Sequence, residues 1–421
     1  MNIFSALSDL LSQQVVSALI DIVIPISPII LAFIMFKLFW PLWINYVRSD
    51  TFANRKFVIL EVKLPRESFR SPLAMELVLN ALHNTSDGGF YSQYWKGEKR
   101  PGYSLEIISV EGVVKFLIRT EDQRKNGVMV ALYSQFPGIE VQEVPDYTRG
   151  VQFNPKEMKM YAVEFILTKD DSYPLKTYVD YGLDKDPKEE FKVDPMTPML
   201  EFLGSTGANQ QVWFQFVIRA HVKEVSGSNF FKKTDSYSEK SKELVDKLLM
   251  RDKKTKIAGT KDKESGRVTP PSLSAGEKEL VEGIERKMGK QAFDVGIRCI
   301  YMGKSSVFDK PNGIGGIMSS FKHFSTENFN GFKPNGDRWS PKFSGLPWED
   351  FKNYRQNKQM AIALEAYKRR SFFYEPVVSK HVILSVEELA TIYHYPGSVA
   401  GTPSLSRIPS KKFEAPANLP I

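Results

Sequence analysis

The chain has one cysteine, Cys299, among 421 residues. One thiol cannot close an internal disulfide. That points the bulk of the chain to a reducing compartment and excludes zinc sites built from several cysteines. Catalytic signatures are missing as well. No GxxxxGK[ST] phosphate loop, GxSxG elbow or HExxH pair occurs. Histidine is scarce, five in all, and His83, His221 and His323 show no ligand spacing. GSTGANQ at Gly204 lacks the phosphate-reaching lysine and reads as a helix stop. PNGIGGIMSS, from Pro311, has glycines at a helix start but no dinucleotide fingerprint around it. Cys299 sits in an apolar strand pattern, where a thiol packs. A hydrolytic enzyme is the weakest class, since no nucleophile, base and orienting group converge. No catalytic residue, cofactor or metal is expected.

Lysine and arginine are absent before Lys37. This leaves Ile22 to Tyr46, IVIPISPIILAFIMFKLFWPLWINY, as an apolar run long enough to cross a bilayer core of about 30 Å. Trp40, Trp43 and Tyr46 gather at one end, where aromatic rings favour the headgroup layer. Lys37 is placed to snorkel toward that end. Arg48, Arg55 and Lys56 follow at once, so the positive-inside rule puts the amino terminus outside and the rest in the cytoplasm. The expected membrane-interface residues are Lys37, Trp40, Trp43, Tyr46 and Arg48. Pro25, Pro28 and Pro41 are expected to kink the helix or mark its ends. Residues 1–21 read as an amphipathic segment and 22–47 as a transmembrane helix. A cleaved signal peptide is not expected, because a basic start and a small-residue cleavage site are missing.

The composition past this segment is that of a soluble protein, with two or three domains expected for the length. Phe57–Leu64 alternates as a strand, and SPLAMELVLNALHN begins a helix at Ser71-Pro72. Tyr103–Val110 and Val113–Arg119 are strands around a Glu111-Gly112 turn. Thr120–Gln123 reads as a capping box for a helix ending at Pro137-Gly138, and Ile139–Val144 is a strand. The order βαββαβ over residues 55–150 is that of a ferredoxin-like module.

A second pass covers residues 155–330. It has strands at Met158–Thr168, Gln211–Ala220 and Phe293–Met302, and helices at Pro195–Leu203 and Asn312–Phe324. A helical insertion, residues 222–290, splits its hairpin. The fold class expected is α+β: an N-terminal transmembrane helix, then two ferredoxin-like modules, the second with the insertion.

The net charge is +8. Between Ser228 and Pro270 there are twelve Lys/Arg against seven Asp/Glu. The insertion reads as a helical hairpin, Asp235–Arg251 and then a helix capped at Ser274, projecting from the sheet. A basic surface suits an anionic partner, so DNA is an open partner, with Lys232, Lys233, Lys253, Lys254, Lys256 and Arg338 as candidate contacts. The stretch FKHFSTENFNGFKPNGDRWSPKF offers rings that could stack on bases, although loops covering a sheet use Phe and Trp the same way. The acidic run YGLDKDPKEE is interleaved with lysines and reads as a solvated loop. Residues 331–384 read as an aromatic-rich loop and a helix.

Near the end comes SVEELATIYHYPG, Ser385–Gly397. Ser385 to Glu388 is a capping box, and Glu387 and Glu388 lie in the first turn, where the helix dipole favours them. Leu389, Ile392 and Tyr393 make a short apolar face, and Pro396-Gly397 stops the helix. His394 therefore reads as a helix-end residue and not a metal ligand. A proline-punctuated tail follows, so residues 385–421 are a short helix and tail.

LSVEELATIYHYPG and the run to APANLPI resemble the segment before the motor domain of TraG/TraD and HerA-like conjugative coupling ATPases. DPMTPMLEFLGSTGANQQVWFQFVIR, FDVGIRCIYMG and GIMSSFKHFSTENFNGF resemble successive elements of the same family. SPLAMELVLNAL and YWKGEKRPGYSLEIISVEG are similar to its membrane-anchored relatives in candidate-phylum bacteria. The resemblance implies a non-enzymatic, membrane-anchored platform of a type IV secretion or conjugation-like DNA-transfer machine, in the bacterial inner membrane with its bulk cytoplasmic. With no Walker lysine here, the HerA/TraG-like ATPase is expected as a separate partner. Glu387, Glu388, Leu389, Ile392, Tyr393 and His394 are the expected docking residues, and an oligomer is expected. The competing expectation is a membrane-tethered nucleic-acid-binding protein.

Overall fold

The computed structural model describes residues 3–65, 70–86, 88–185, 193–222, 236–249, 273–336, 353–374 and 376–396. It also describes short pieces at 224–225, 233–234, 251, 260–261, 268–269, 339, 348, 350 and 407–408. The chain is mixed α/β, with an N-terminal apolar helix and a largely antiparallel sheet. It divides into two units, residues 1–55 with 87–99, and residues 56–86 with 100–421.

The first unit is built on α1, Ile3–Asn54. Pro25, Pro28 and Pro41 all lie inside this helix. One continuous helix therefore runs across the segment boundary expected at residue 22. A proline removes one ladder hydrogen bond, and a long helix can carry a few such losses without ending. Pro25–Asn54 is long and apolar enough to cross a membrane. Its 30 residues make about 45 Å of helix. The unit also holds residues 88–99, with the short helix α3, Phe90–Tyr94.

The second unit is one ten-stranded sheet with helices on both faces. Its first half runs β1 (Phe57–Pro65), α2 (Leu73–Leu82), β2 (Gly102–Val110), β3 (Val113–Glu121), α4 (Lys125–Gln135) and β4 (Glu140–Val144). The strands pair antiparallel in the order β4-β1-β3-β2. The second half runs β5 (Met158–Leu167), α5 (Thr197–Gly204), β6 (Gln210–Ala220), an insertion, β11 (Ala292–Lys304), α8 (Lys310–Ser320) and β12 (Phe332–Pro334). Its strands pair antiparallel as β12-β5-β11-β6. The halves join where β2 pairs antiparallel with β6, Ile107 opposite Phe214. They share one sheet because β2 and β6 each offer a bare edge and apolar residues to both faces.

The insertion holds the two-residue pair β7 (Glu224–Val225) and β8 (Lys233–Thr234), then α6 (Ser236–Leu248). The pair β9 (Thr260–Lys261) and β10 (Val268–Thr269) precedes α7 (Ala275–Met288). Helices α6 and α7 pack through Val245, Leu280, Val281 and Ile284. Ser274 caps α7 in a full capping box with Glu277. The box expected at Thr120 does not form. Thr120 is a buried residue of β3, and α4 starts after a 3₁₀ turn with no side-chain cap.

After β12 come α9 (Tyr354–Lys368), β13 (Val382–Ser385), α10 (Val386–Ile392) and β14 (Arg407–Ile408). Strand β13 extends the β5 edge of β11, and β14 pairs parallel with the end of β1. Period-two alternation sorts the sheet into two faces. Leu60, Ile107, Phe116, Phe165, Phe214, Phe216 and Ile297 face α2, α4, α5, α8 and α10. Ile108, Met160, Trp213, Ile300 and Met302 face α9, which supplies Met360, Ala363, Leu364 and Tyr367.

Candidate functional site

The five residues expected at a membrane interface all lie on α1. Ile29, Leu31, Phe33, Met35, Leu38 and Leu42 are exposed along the same stretch. Helical spacing stacks Phe36 on Trp40 at 5.4 Å and Phe39 on Trp43 at 6.1 Å between ring centroids. Trp43 also meets Tyr46 at 6.2 Å. Lys37 departs from expectation. Its ammonium sits over the Phe33 ring, 5.1 Å from the centroid, one turn away from the aromatic end. Helical side chains lean toward the amino terminus, which favours that direction.

Residues 88–99 press against the same stretch of α1. Tyr94 stacks on Trp40 at 5.7 Å, and Trp95 meets Trp43 edge-on at 5.6 Å. Gly97 has a φ of +66°, and a Cβ there would lie 2.8 Å from the Val47 carbonyl oxygen. Only glycine fits that approach. The Thr51 hydroxyl lies 3.0 Å from the Val47 carbonyl and 2.5 Å from that of Lys96.

The six residues expected to dock a partner are interior instead. Glu387, Glu388, Leu389, Ile392, Tyr393 and His394 are all 2% exposed or less. The capping box at Ser385 is present, with Glu388 closing it. The rest of the α10 charge is answered from inside the protein. Glu388 pairs with Lys287 of α7 at 3.1 Å and accepts the Leu175 amide at 2.7 Å. Burial pushes its carboxyl up, against the pull of Lys287 and those amides. Glu387 pairs with Arg286 at 3.1 Å and Lys290 at 2.8 Å, and accepts the Thr177 hydroxyl. Lys290 reaches on to Glu76 of α2 at 2.6 Å, which also accepts the Tyr178 hydroxyl.

His394 places Nδ1 3.0 Å from the Ala390 carbonyl and Nε2 3.2 Å from Asp194. Burial would raise the Asp194 carboxyl, but His394 and the Met196 amide hold it below the usual range. Each polar group on this helix thus has a fold-holding contact. A docking surface needs exposed atoms, and these six side chains offer almost none.

A second charged layer lies between the sheet and α9. The strand register sets Glu164, Arg298, Gln215 and Glu106 side by side across β5, β11, β6 and β2. Arg298 bonds Glu164 at 2.8 Å with both side chains fully buried. Arg370, just past α9, bonds Glu106 at 2.9 Å and Asp146 at 2.7 Å. Tyr147 donates to Glu106 at 2.9 Å. Burial would raise Glu106, but Arg370 and these donors hold it low. Arg370 has a φ of +52° at the position after the helix where glycine is usual. The two ion pairs hold it in that left-handed conformation.

Asp294 gathers a third group: Arg219 at 2.8 Å, His221 at 2.6 Å and His381 at 3.8 Å. His83 lies nearby, 3.0 Å from the Ala292 carbonyl. Among the described residues no three His, Cys, Asp or Glu side chains are placed to hold a metal ion. Cys299 is buried, and burial pushes its thiol well up. An open cleft of about 700 Å³ at one end of the sheet is lined by Glu111, Asn154, Glu157, Asn209 and Lys304. Nothing among its lining residues pairs a nucleophile with a base.

The described rings of the aromatic stretch after α8 pack into the hydrophobic clusters and do not form a stacking platform. Phe321 and Phe324 are buried, and Phe321 packs on Phe165 at 4.2 Å. Glycines 313 and 316 of PNGIGGIMSS face the rings of Tyr301 and Phe202 at contact distance, which accounts for them without a phosphate. Of the candidate nucleic-acid contacts, Lys232, Lys253, Lys254, Lys256 and Arg338 lie outside the described residues, as does the side chain of Lys233. So does most of the tail after Pro396.

Sequence reasoning missed the partners of the α10 glutamates. The signal was present in the basic close of α7, Arg286, Lys287 and Lys290, three cations within five residues. No curated protein matches the chain. Residues 50–407, most of the chain, match a family described as a domain of unknown function. The chain belongs to this family, DUF8128.

Proposed function

We propose that the chain is a membrane-anchored, non-catalytic platform of a type IV secretion or conjugation-like DNA-transfer machine. It sits in the bacterial inner membrane with its amino terminus outside, and it docks a HerA/TraG-like ATPase. The observation that carries the anchor is the row of exposed apolar side chains on α1, from Ile26 to Leu42. Two ferredoxin-like modules make up the cytoplasmic body. What supports them is the antiparallel order β4-β1-β3-β2, repeated as β12-β5-β11-β6. The machine and its ATPase rest on the sequence resemblance alone.

Since α10 is interior, the tail after Gly397 is the segment to test for docking. The full-length protein and a chain ending at Gly397 are each co-expressed with the Walker-motif ATPase of this type from the same organism. Co-purification with the full chain and its loss on truncation is the expected result. No recovery with the full chain rejects the platform, and equal recovery with both rejects the tail. Salt-sensitive DNA retention by the purified full chain, with no ATPase recovered, points instead to a membrane-tethered nucleic-acid-binding protein.

A further inference from the structure

Residues 88–99 are held against α1 in a fixed order. Tyr94 lies at the level of Trp40, Trp95 at Trp43, Gly97 at Val47 and Arg48, and Lys99 over Phe52, 5.8 Å from its ring centroid. Read along α1 toward its carboxyl end, the rings of Tyr94 and Trp95 come first and the Lys99 ammonium after them, while the Lys96 ammonium lies back over the Tyr91 ring at 5.9 Å. Phe90 packs on Tyr94 at 4.5 Å, so it belongs to the ring level too. Phe90, Tyr91 and Trp95 are nevertheless 68%, 64% and 52% exposed. Three large rings in six residues are thus left facing outward, continuous with the exposed rings and aliphatic side chains of α1.

This sequence of chemistry matches the layers of a phospholipid surface. Aromatic rings favour the boundary between acyl chains and headgroups, and lysines favour the phosphates just beyond. A protein partner would not require the rings to stay level with the tryptophans of an apolar spanning helix. A bilayer does require it. We propose that residues 88–99 are a second membrane contact, an aromatic hook seated in the headgroup layer of a phospholipid bilayer beside α1. This rests on α1 being the anchor. The hook fixes the depth of α1 and blocks its rotation about its own axis, which a single helix cannot do.

The test uses full-length protein in nanodiscs of phosphatidylcholine and phosphatidylglycerol. Single nitroxides are placed by Ile34→Cys, Phe90→Cys, Tyr91→Cys and Val130→Cys. Cys299 is buried, and the unsubstituted protein serves as the labelling blank. Collision with oxygen against collision with a water-soluble nickel chelate reports depth. The hook predicts a deep signal at 34, a shallow lipid signal at 90 and 91, and an aqueous signal at 130. Aqueous signals at 90 and 91 with a deep signal at 34 overturn the hook and spare the anchor. An aqueous signal at 34 overturns the anchor and the hook with it.

Discussion

Lys287 at the end of α7 and Glu388 in the first turn of α10 form a 3.1 Å ion pair, 2% and 1% exposed. Removing one partner strands a charge in the interior. Glu388→Leu or Lys287→Met should each cost about 3–5 kcal/mol. The pair Lys287→Met with Glu388→Leu should cost less than the two single losses added together. Urea unfolding of the four proteins in one detergent measures this. Additive losses would count against a coupled pair.

Arg370 sits where the helix-ending backbone favours glycine. Arg370→Gly relieves a backbone strain of about 1 kcal/mol. It also leaves Glu106 buried without its cation, at a cost of about 3–5 kcal/mol. The net effect should be destabilising by at least about 2 kcal/mol, by the difference of those two magnitudes. A glycine variant as stable as the parent in thermal melts would show that the ion pairs are not what holds this corner.

Glu106 and Asp294 are buried and Asp146 and Asp194 half-buried, and all four carboxylates are held below their usual range, desolvation being outweighed by cations and donors. Their unfolded values are near 4. The unfolded chain therefore binds more protons as pH drops past that range. These four should make stability fall as pH is lowered below about 5 through the depressed folded values, while His83, held low by burial, adds a fall below about 6.5 and Glu388, held high by burial, acts in the opposite sense. Denaturant midpoints between pH 7 and pH 3 check this, and Asp194→Asn should flatten part of the slope. A profile level down to pH 3 would contradict it.

Helix α8 lies flush on α5 because Gly316 faces the ring of Phe202. Gly316→Ala places a methyl group inside that ring's volume. A loss of about 1–3 kcal/mol is expected, the usual range for an overpacked core. Gly315, with nothing within 4 Å of a Cβ, is the control. Gly315→Ala should be neutral or slightly stabilising in the same melts.

If α1 inserts in a bilayer, a charge on its exposed apolar stretch is costly. Ile34→Arg should lower insertion by about 2.5–3.5 kcal/mol. Carbonate-resistant membrane recovery reads this directly. Undiminished recovery would argue for a peripheral attachment.

Local elements were legible because their chemistry is local. Phe57–Pro65 alternates because one face meets α2 and α4, and Ser274 and Ser385 cap helices with glutamates three residues on. Thr120 carries the same cap pattern but belongs to the ladder, opposite Val58 in β1. Strand pairing outweighed the cap there. What stayed hidden was pairing across distance. Nothing near Glu387 in the sequence announces Arg286 or Glu76, a hundred and three hundred residues away, so an interior knot looked like a surface. The same holds for Glu106 and Arg370. Interior charges could be told from exposed ones only after register had set their neighbours.

The β2–β6 ladder, where the two halves meet, has a consequence for how the protein is made. A ribosome finishes β2 about a hundred residues before β6. Until then the first half carries an open strand rich in Leu105, Ile107 and Ile108, a template for any passing β-chain. The second half completes the first by pairing β6 along that strand. Halves expressed apart should each be sticky alone and find one another when mixed, which makes the seam a natural point for splitting the protein into a reconstituting pair.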